Sequence, residues 1–174
     1  PLVIGMIFPS QIACALYMRD KLAPLIELMR GRPELTPFAT PAAIIEPLDL
    51  ILHIFPIDGE LPALVPATDP QQIGEVLRET LPESIDGTFE IERCRVQLID
   101  YARRYRSVLR YQVEGRRPGA SRNEHRLVYG KVFDDTLGAL TGPVTAALRE
   151  GLVGGRGYQF NVPRVLGWRA DMRL

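Results

Sequence analysis

Lysine is nearly missing from this chain of 174 residues: Lys21 and Lys131 are the only two among 21 basic side chains. Cysteine is as scarce. Cys14 and Cys94 are too few and too far apart for a disulfide framework or a metal site, so a reducing, cytoplasmic setting is the expectation. The two histidines, His53 and His125, have no metal-ligand spacing around them, and no metal site is expected. Long apolar runs are missing too. Val3–Met18 is uncharged over 16 residues, short of the roughly 20 that a spanning helix needs, and Pro9, Ser10 and Gln11 interrupt it. No basic start precedes it, as a signal peptide would require. A membrane is therefore not an expected partner. Repeats and low-complexity tracts are also lacking.

What is present suits a folded domain. Hydrophobic residues make up 46%, enough to bury a core, and the formal net charge is zero. The charge is unevenly spread. Residues 1–91 carry 5 basic and 13 acidic side chains, whereas residues 92–126 carry 10 arginines and 4 acids. A positive block inside a neutral chain fits a small anionic partner or contact with the acidic half. Few aromatics interleave with these arginines and no recognition motif accompanies them, which argues against nucleic acid. For any single arginine a solvated hairpin surface is the plainer role.

Residues 12–30 carry a helical pattern in Leu16, Leu22, Leu25, Ile26 and Met29, with Pro24 marking a kink or boundary. Residues 31–66 are rich in proline and read as an irregular connector with at most a brief strand at Leu50–Ile57. Residues 1–66 are thus expected to form an N-terminal helical and irregular extension. A helix within 67–87 leads onward: Asp69 is a natural N-cap, Pro70 suits the first turn, Ile73, Val76, Leu77 and Leu81 share a face, and Pro82 stops it.

From residue 88 the period becomes two. "ERCRVQLIDY", "RSVLRYQVEG" and "HRLVYGKVF" alternate apolar and polar residues, and their short links predict an antiparallel meander. A helical pattern follows in Leu137, Leu140, Val144, Ala147 and Leu148. An interior Pro143 costs roughly 3 kcal/mol there and predicts a kink or two short helices. "NVPRVLGW" then reads as a strand, "RAD" as a turn and "MRL" as the opening of another strand. The expected class is α+β, a five-stranded antiparallel sheet with one inserted helix over residues 88–174.

Lys131 stands in the third strand, where an ammonium needs an anion or water. On this order, and on the runs "RSVLRYQVEG", "VYGKVFDD", "NVPRVLGWRADMRL" and "FPIDGELPALVPATDP", the chain from about Asp49 to Leu174 resembles the small-lobe half of the aminoglycoside phosphotransferase-like family, a branch of the kinase-like fold. The resemblance implies ATP, as Mg-ATP, bound between two lobes, with its γ-phosphoryl passed to a hydroxyl of a small molecule. By position it gives Lys131 to the phosphates. It lays the turn "DYARRYR" over them, where Arg103, Arg104 and Arg106 replace the glycines other kinases use. Val132 and Val165 help to roof the base. Glu150 is the available helix glutamate for Lys131, although it sits well off the apolar stripe.

The His-Gly-Asp-type loop, its downstream asparagine and the metal-binding aspartate of the family do not occur in the chain. No catalytic residue is therefore assigned, and the magnesium ligands are expected outside this chain. The expectation is a phosphotransferase small lobe, inactive alone, whose partners are nucleotide and either a C-terminal lobe or a second copy. The alternative is a non-catalytic protein-interaction module using the same sheet, since a small lobe without its partner exposes apolar surface.

Overall fold

The fold is given by a computed structural model that describes residues 2–102, 105–134, 137–152 and 162–174. Its class is α+β, as expected, but the strands form two three-stranded antiparallel sheets instead of one sheet of five.

The N-terminal residues build the first sheet. β1 (Val3–Ile7), β2 (Ala42–Ile45) and β3 (Leu50–Ile54) pair in the order β1-β3-β2, and a single 3₁₀ turn, Glu46–Leu48, joins β2 to β3. This corrects the reading of residues 31–66 as mainly irregular. The strands VIGMI, AAII and LILHI contain no charged residue and so lack the polar alternation that marks a half-exposed strand. Between β1 and β2 runs one helical stretch: α1 (Gln11–Tyr17), a π-turn (Met18–Leu22) and α2 (Ala23–Leu28). Ser10 caps α1 by accepting from the Ala13 amide at 3.3 Å. Cys14, Leu22, Leu25 and Met29 pack with Ile51 and Ala42 in a core on one face of this sheet.

A short helix, α3 (Leu64–Thr68), and an 11-residue helix, α4 (Pro70–Thr80), lead to the second sheet, with α5 (Pro82–Ile85) after them. The expected helix is thus α4. Its capping aspartate, Asp69, accepts from the amides of Gln71 and Gln72 at 2.9 and 3.4 Å. Leu81 is held extended before Pro82, which ends α4. Ile73 and Leu77 point into the larger core.

β4 (Glu90–Ala102), β5 (Arg106–Arg116) and β6 (Glu124–Phe133) form the expected meander in the order β4-β5-β6. Leu109, Tyr111, Val113 and Val132 face α3 and α4, while Arg95, Gln97, Arg110, Gln112 and Lys131 occupy the opposite, solvated face. Tyr111 ties the sheet to α3 by donating to the Ala67 carbonyl at 3.1 Å. Arg32 ties the 31–41 loop to the cap of α4, donating to the buried Asp69 carboxylate at 2.5 Å.

α6 (Leu137–Leu152) is one continuous helix with Pro143 inside it, so the expected break is not made. Its apolar stripe is turned outward. Leu140, Val144 and Leu148 are all more than half exposed, and the small residues Gly138, Thr141, Gly142 and Thr145 face inward. Among the described residues, 162–174 contains no strand. Arg169 and Leu174 exchange backbone hydrogen bonds of 2.7 and 3.2 Å around a turn; the Arg173 carbonyl accepts from the Phe133 amide at 3.1 Å, and its guanidinium donates to the Asp134 carbonyl.

Candidate functional site

The meander leaves β6 as an edge strand, and a hollow lies along that edge. In an antiparallel strand the amide and carbonyl of one residue point to the same side and alternate along the chain. Because the Phe133 amide points away from β5 to reach Arg173, the backbone groups of Lys131, Tyr129 and Leu127 also point away from β5. They open into a groove of about 480 Å³ bounded by α4, α6 and the extended residues 163–169.

Small residues create this space. A Cβ added at Gly138 would lie 2.1 Å from the Trp168 ring, so only glycine lets that indole seat against the start of α6. Trp168 in turn packs on Phe133, with ring centroids 6.3 Å apart. At Gly130 an added Cβ would meet Tyr111 and Leu174 at 2.7 Å. The floor is apolar, formed by Leu77, Leu81, Val128 and Leu174. The rim is cationic. Arg126 stacks over the Phe89 ring at 4.8 Å and pairs with Glu124, and Arg169 bridges Asp171 and Glu79. Lys131 and Arg164 also border the groove; both are exposed and make no ion pair among the described residues, and the Lys131 side chain leaves β6 on the solvated face, opposite to Val128 on the floor. An apolar trough bordered by cations suits a ligand with a flat apolar part and an anionic part.

The sequence-derived candidates fall out differently. Lys131 lines the groove, opposite Val108 in the β5–β6 register. Arg106 lies on the same face as its diagonal neighbour, a spacing of about 7–8 Å in such sheets. It is paired with Asp100 at 3.0 Å, with both side chains about half exposed. Arg103 and Arg104 lie outside the described residues. Val165 lines the groove against Gly142, whereas Val132 points to the opposite face from Lys131 and is fully buried in the core, away from any roofing position. Glu150 is exposed in the last turn of α6 and makes no ion pair among the described residues, so it does not hold Lys131. Arg164 was not anticipated. Its segment reads as a strand in sequence, and only its placement across from β6 brings it to the rim.

Elsewhere the titratable groups serve the fold. The buried His53 ring donates through Nδ1 to the Ile57 carbonyl at 2.6 Å. Asp58 accepts from the amides of Glu60 and Leu61 and from the Tyr101 hydroxyl. Burial raises the Cys94 thiol to about 11. Both cysteines are buried and unbridged. Among the described residues no cluster of His, Cys, Asp and Glu could hold a metal ion, and no helix is long and apolar enough to cross a membrane. No family model, curated protein or solved structure matches the chain.

Proposed function

We propose that this chain is the nucleotide-binding small lobe of an aminoglycoside phosphotransferase-like small-molecule kinase. When complete, the enzyme transfers the γ-phosphoryl of Mg-ATP to a hydroxyl; this chain alone is inactive. The observation that carries the reading is the setting of Lys131. It sits on the third strand of an antiparallel meander, ahead of a helix, bordering an apolar groove, exposed and without a counter-ion among the described residues. An exposed ammonium beside a trough is disposed to meet a phosphate, and Arg164 adds a second positive charge. Val165 and the apolar floor offer a surface for a base. Magnesium ligands and a general base would come from residues outside this chain.

Calorimetric titration with Mg-ATP tests the reading. Binding is expected in the range of about 0.1–1 mM, weakened about tenfold by Lys131→Ala and more by adding Arg164→Ala, with Gln112→Ala as an unaffected control. Equal affinity of Lys131→Ala and the wild type would remove the proposal. The open edge of β6 and the exposed α6 stripe favour a second reading, a non-catalytic interaction module. Absence of nucleotide binding together with capture of an extended peptide along β6 would decide for it.

A further inference from the structure

The two sheets treat their open faces in opposite ways. The outer face of β4-β5-β6 mixes Arg95, Gln97, Arg110, Gln112, Glu114 and Lys131 with the apolar Val108, Leu127 and Tyr129, an ordinary surface of an antiparallel sheet against water. The outer face of β1-β3-β2 has nothing of the kind. The register stacks Val3 on Ile54, Gly5 on Leu52 and Ile7 on Leu50, with Ala43 beside Leu52 and Ile45 beside Leu50. No member of this face is polar. None belongs to the core under the sheet, which is formed from the alternate residues Ala42, Ile44 and Ile51. Ile7 is 82% exposed and Val3 56%. Strands that are apolar on both faces are those that natural folds cover on both sides, and soluble monomers rarely leave such a patch open.

We infer that this face is a homodimer interface, in which the outer faces of two copies pack sheet on sheet about a two-fold axis. Three features select a second copy as the occupant. First, an isologous contact brings each side chain against the same patch, and a face without charge meets itself with no like-charge repulsion. Second, the face has its own relief: Gly5 and Ala43 are low points beside Leu50, Leu52 and Ile7, as interdigitating sheet packing requires. Third, the charged residues that adjoin the face in sequence are Glu46, after Ile45, and Asp49, before Leu50, both at its Ile7–Leu50 end. Acids there disfavour an anionic lipid surface, whereas antiparallel stacking of two copies sets these acidic ends far apart.

The area is sufficient for association but not for a permanent complex. Three strands about 4.8 Å apart and five residues long project to roughly 240 Å². Two such faces together project to roughly 480 Å², below the limit of about 1,000 Å² for a stable specific interface unless side-chain relief and flanking contacts add to it. The dimer expected is therefore weak and reversible.

Sedimentation equilibrium of the whole chain from about 1 to 200 μM is the test. A monomer–dimer equilibrium is expected, with association weakened at least about tenfold by Ile7→Lys and by Leu52→Lys, and unchanged by Gln112→Lys on the other sheet. Thermal melting confirms that each variant is folded, and Ile7 decides the matter should Leu52→Lys fail to fold. A monomer throughout the range overturns the inference, as does a dimer indifferent to Ile7→Lys. Co-flotation of the wild type with phosphatidylcholine–phosphatidylserine vesicles, lost in Ile7→Lys, assigns the face to lipid and overturns it as well. Mg-ATP affinity plays no part in these outcomes.

Discussion

Replacing Asp69 separates two contributions that meet in one buried carboxylate. Asp69 caps α4 through the amides of Gln71 and Gln72, and it receives Arg32 at 2.5 Å with its own side chain fully buried. Loss of an N-cap costs about 1 kcal/mol. Removal of one partner from a buried ion pair costs about 3–5 kcal/mol when the other is left without compensation. Arg32 is about one-quarter exposed and keeps Glu34 at 2.8 Å, so about 2 kcal/mol is the better figure for that part here. Asp69→Ala should therefore cost about 3 kcal/mol, and Asp69→Asn, which retains the cap, about 2 kcal/mol. For a chain of this size each kcal/mol lowers Tm by about 2–4 °C, so calorimetry resolves the two variants. The pH dependence has a definite sign. Burial works to raise the Asp69 carboxyl, but the Arg32 guanidinium and the capping amides outweigh it and hold the group below its ordinary value. Its contribution is complete above the ordinary aspartate pKa of about 4 and is lost as pH falls through the lower, folded value. Wild type should thus lose stability on acidification below about pH 4 more steeply than Asp69→Asn. Equal costs for Ala and Asn, or parallel acid profiles, would refute this account.

Two further perturbations probe the groove wall and the cores. Gly138→Val should expel Trp168, the sole tryptophan, from the start of α6, shifting its fluorescence to the red and costing about 1–3 kcal/mol; an unchanged spectrum would refute the packing. Cys94, raised to about 11 by burial, and Cys14, raised by burial and by Asp49, should react with a disulfide reagent at pH 8 at least about 100-fold more slowly in the native chain than in denaturant. Fast native labelling of either thiol would contradict the cores as described.

The parts of the fold legible in sequence were those whose signals are local. Asp69-Pro70 announced α4 because a cap and a first-turn proline act within one turn of chain. The β4-β5-β6 meander was legible because each strand alternates one buried and one solvated face. The first sheet was missed for the complementary reason: VIGMI, AAII and LILHI have no polar face, so period two is invisible in them, and prolines around them suggested a connector. The place of Lys131 in β6 was legible because the residues around it alternate. Val132 could not be judged by neighbourhood, because one step along a strand turns a side chain to the opposite face and here into the core. Glu150 lies exposed in the last turn of α6 and makes no ion pair among the described residues, a placement that the turn of the helix, and not sequence distance from Lys131, decides.

By itself, the sequence determined the α+β class, the capped helix and the three-stranded meander with a lysine in its last strand. These follow from propensity, caps and periodicity, which operate over a few residues. Only the tertiary structure decided that the strands divide into two sheets, that Arg164 joins Lys131 at the rim of a groove, and that one wholly apolar sheet face stands open. Each of those depends on which distant segments pair and pack, and the free energy of such contacts is absent from any local stretch of chain.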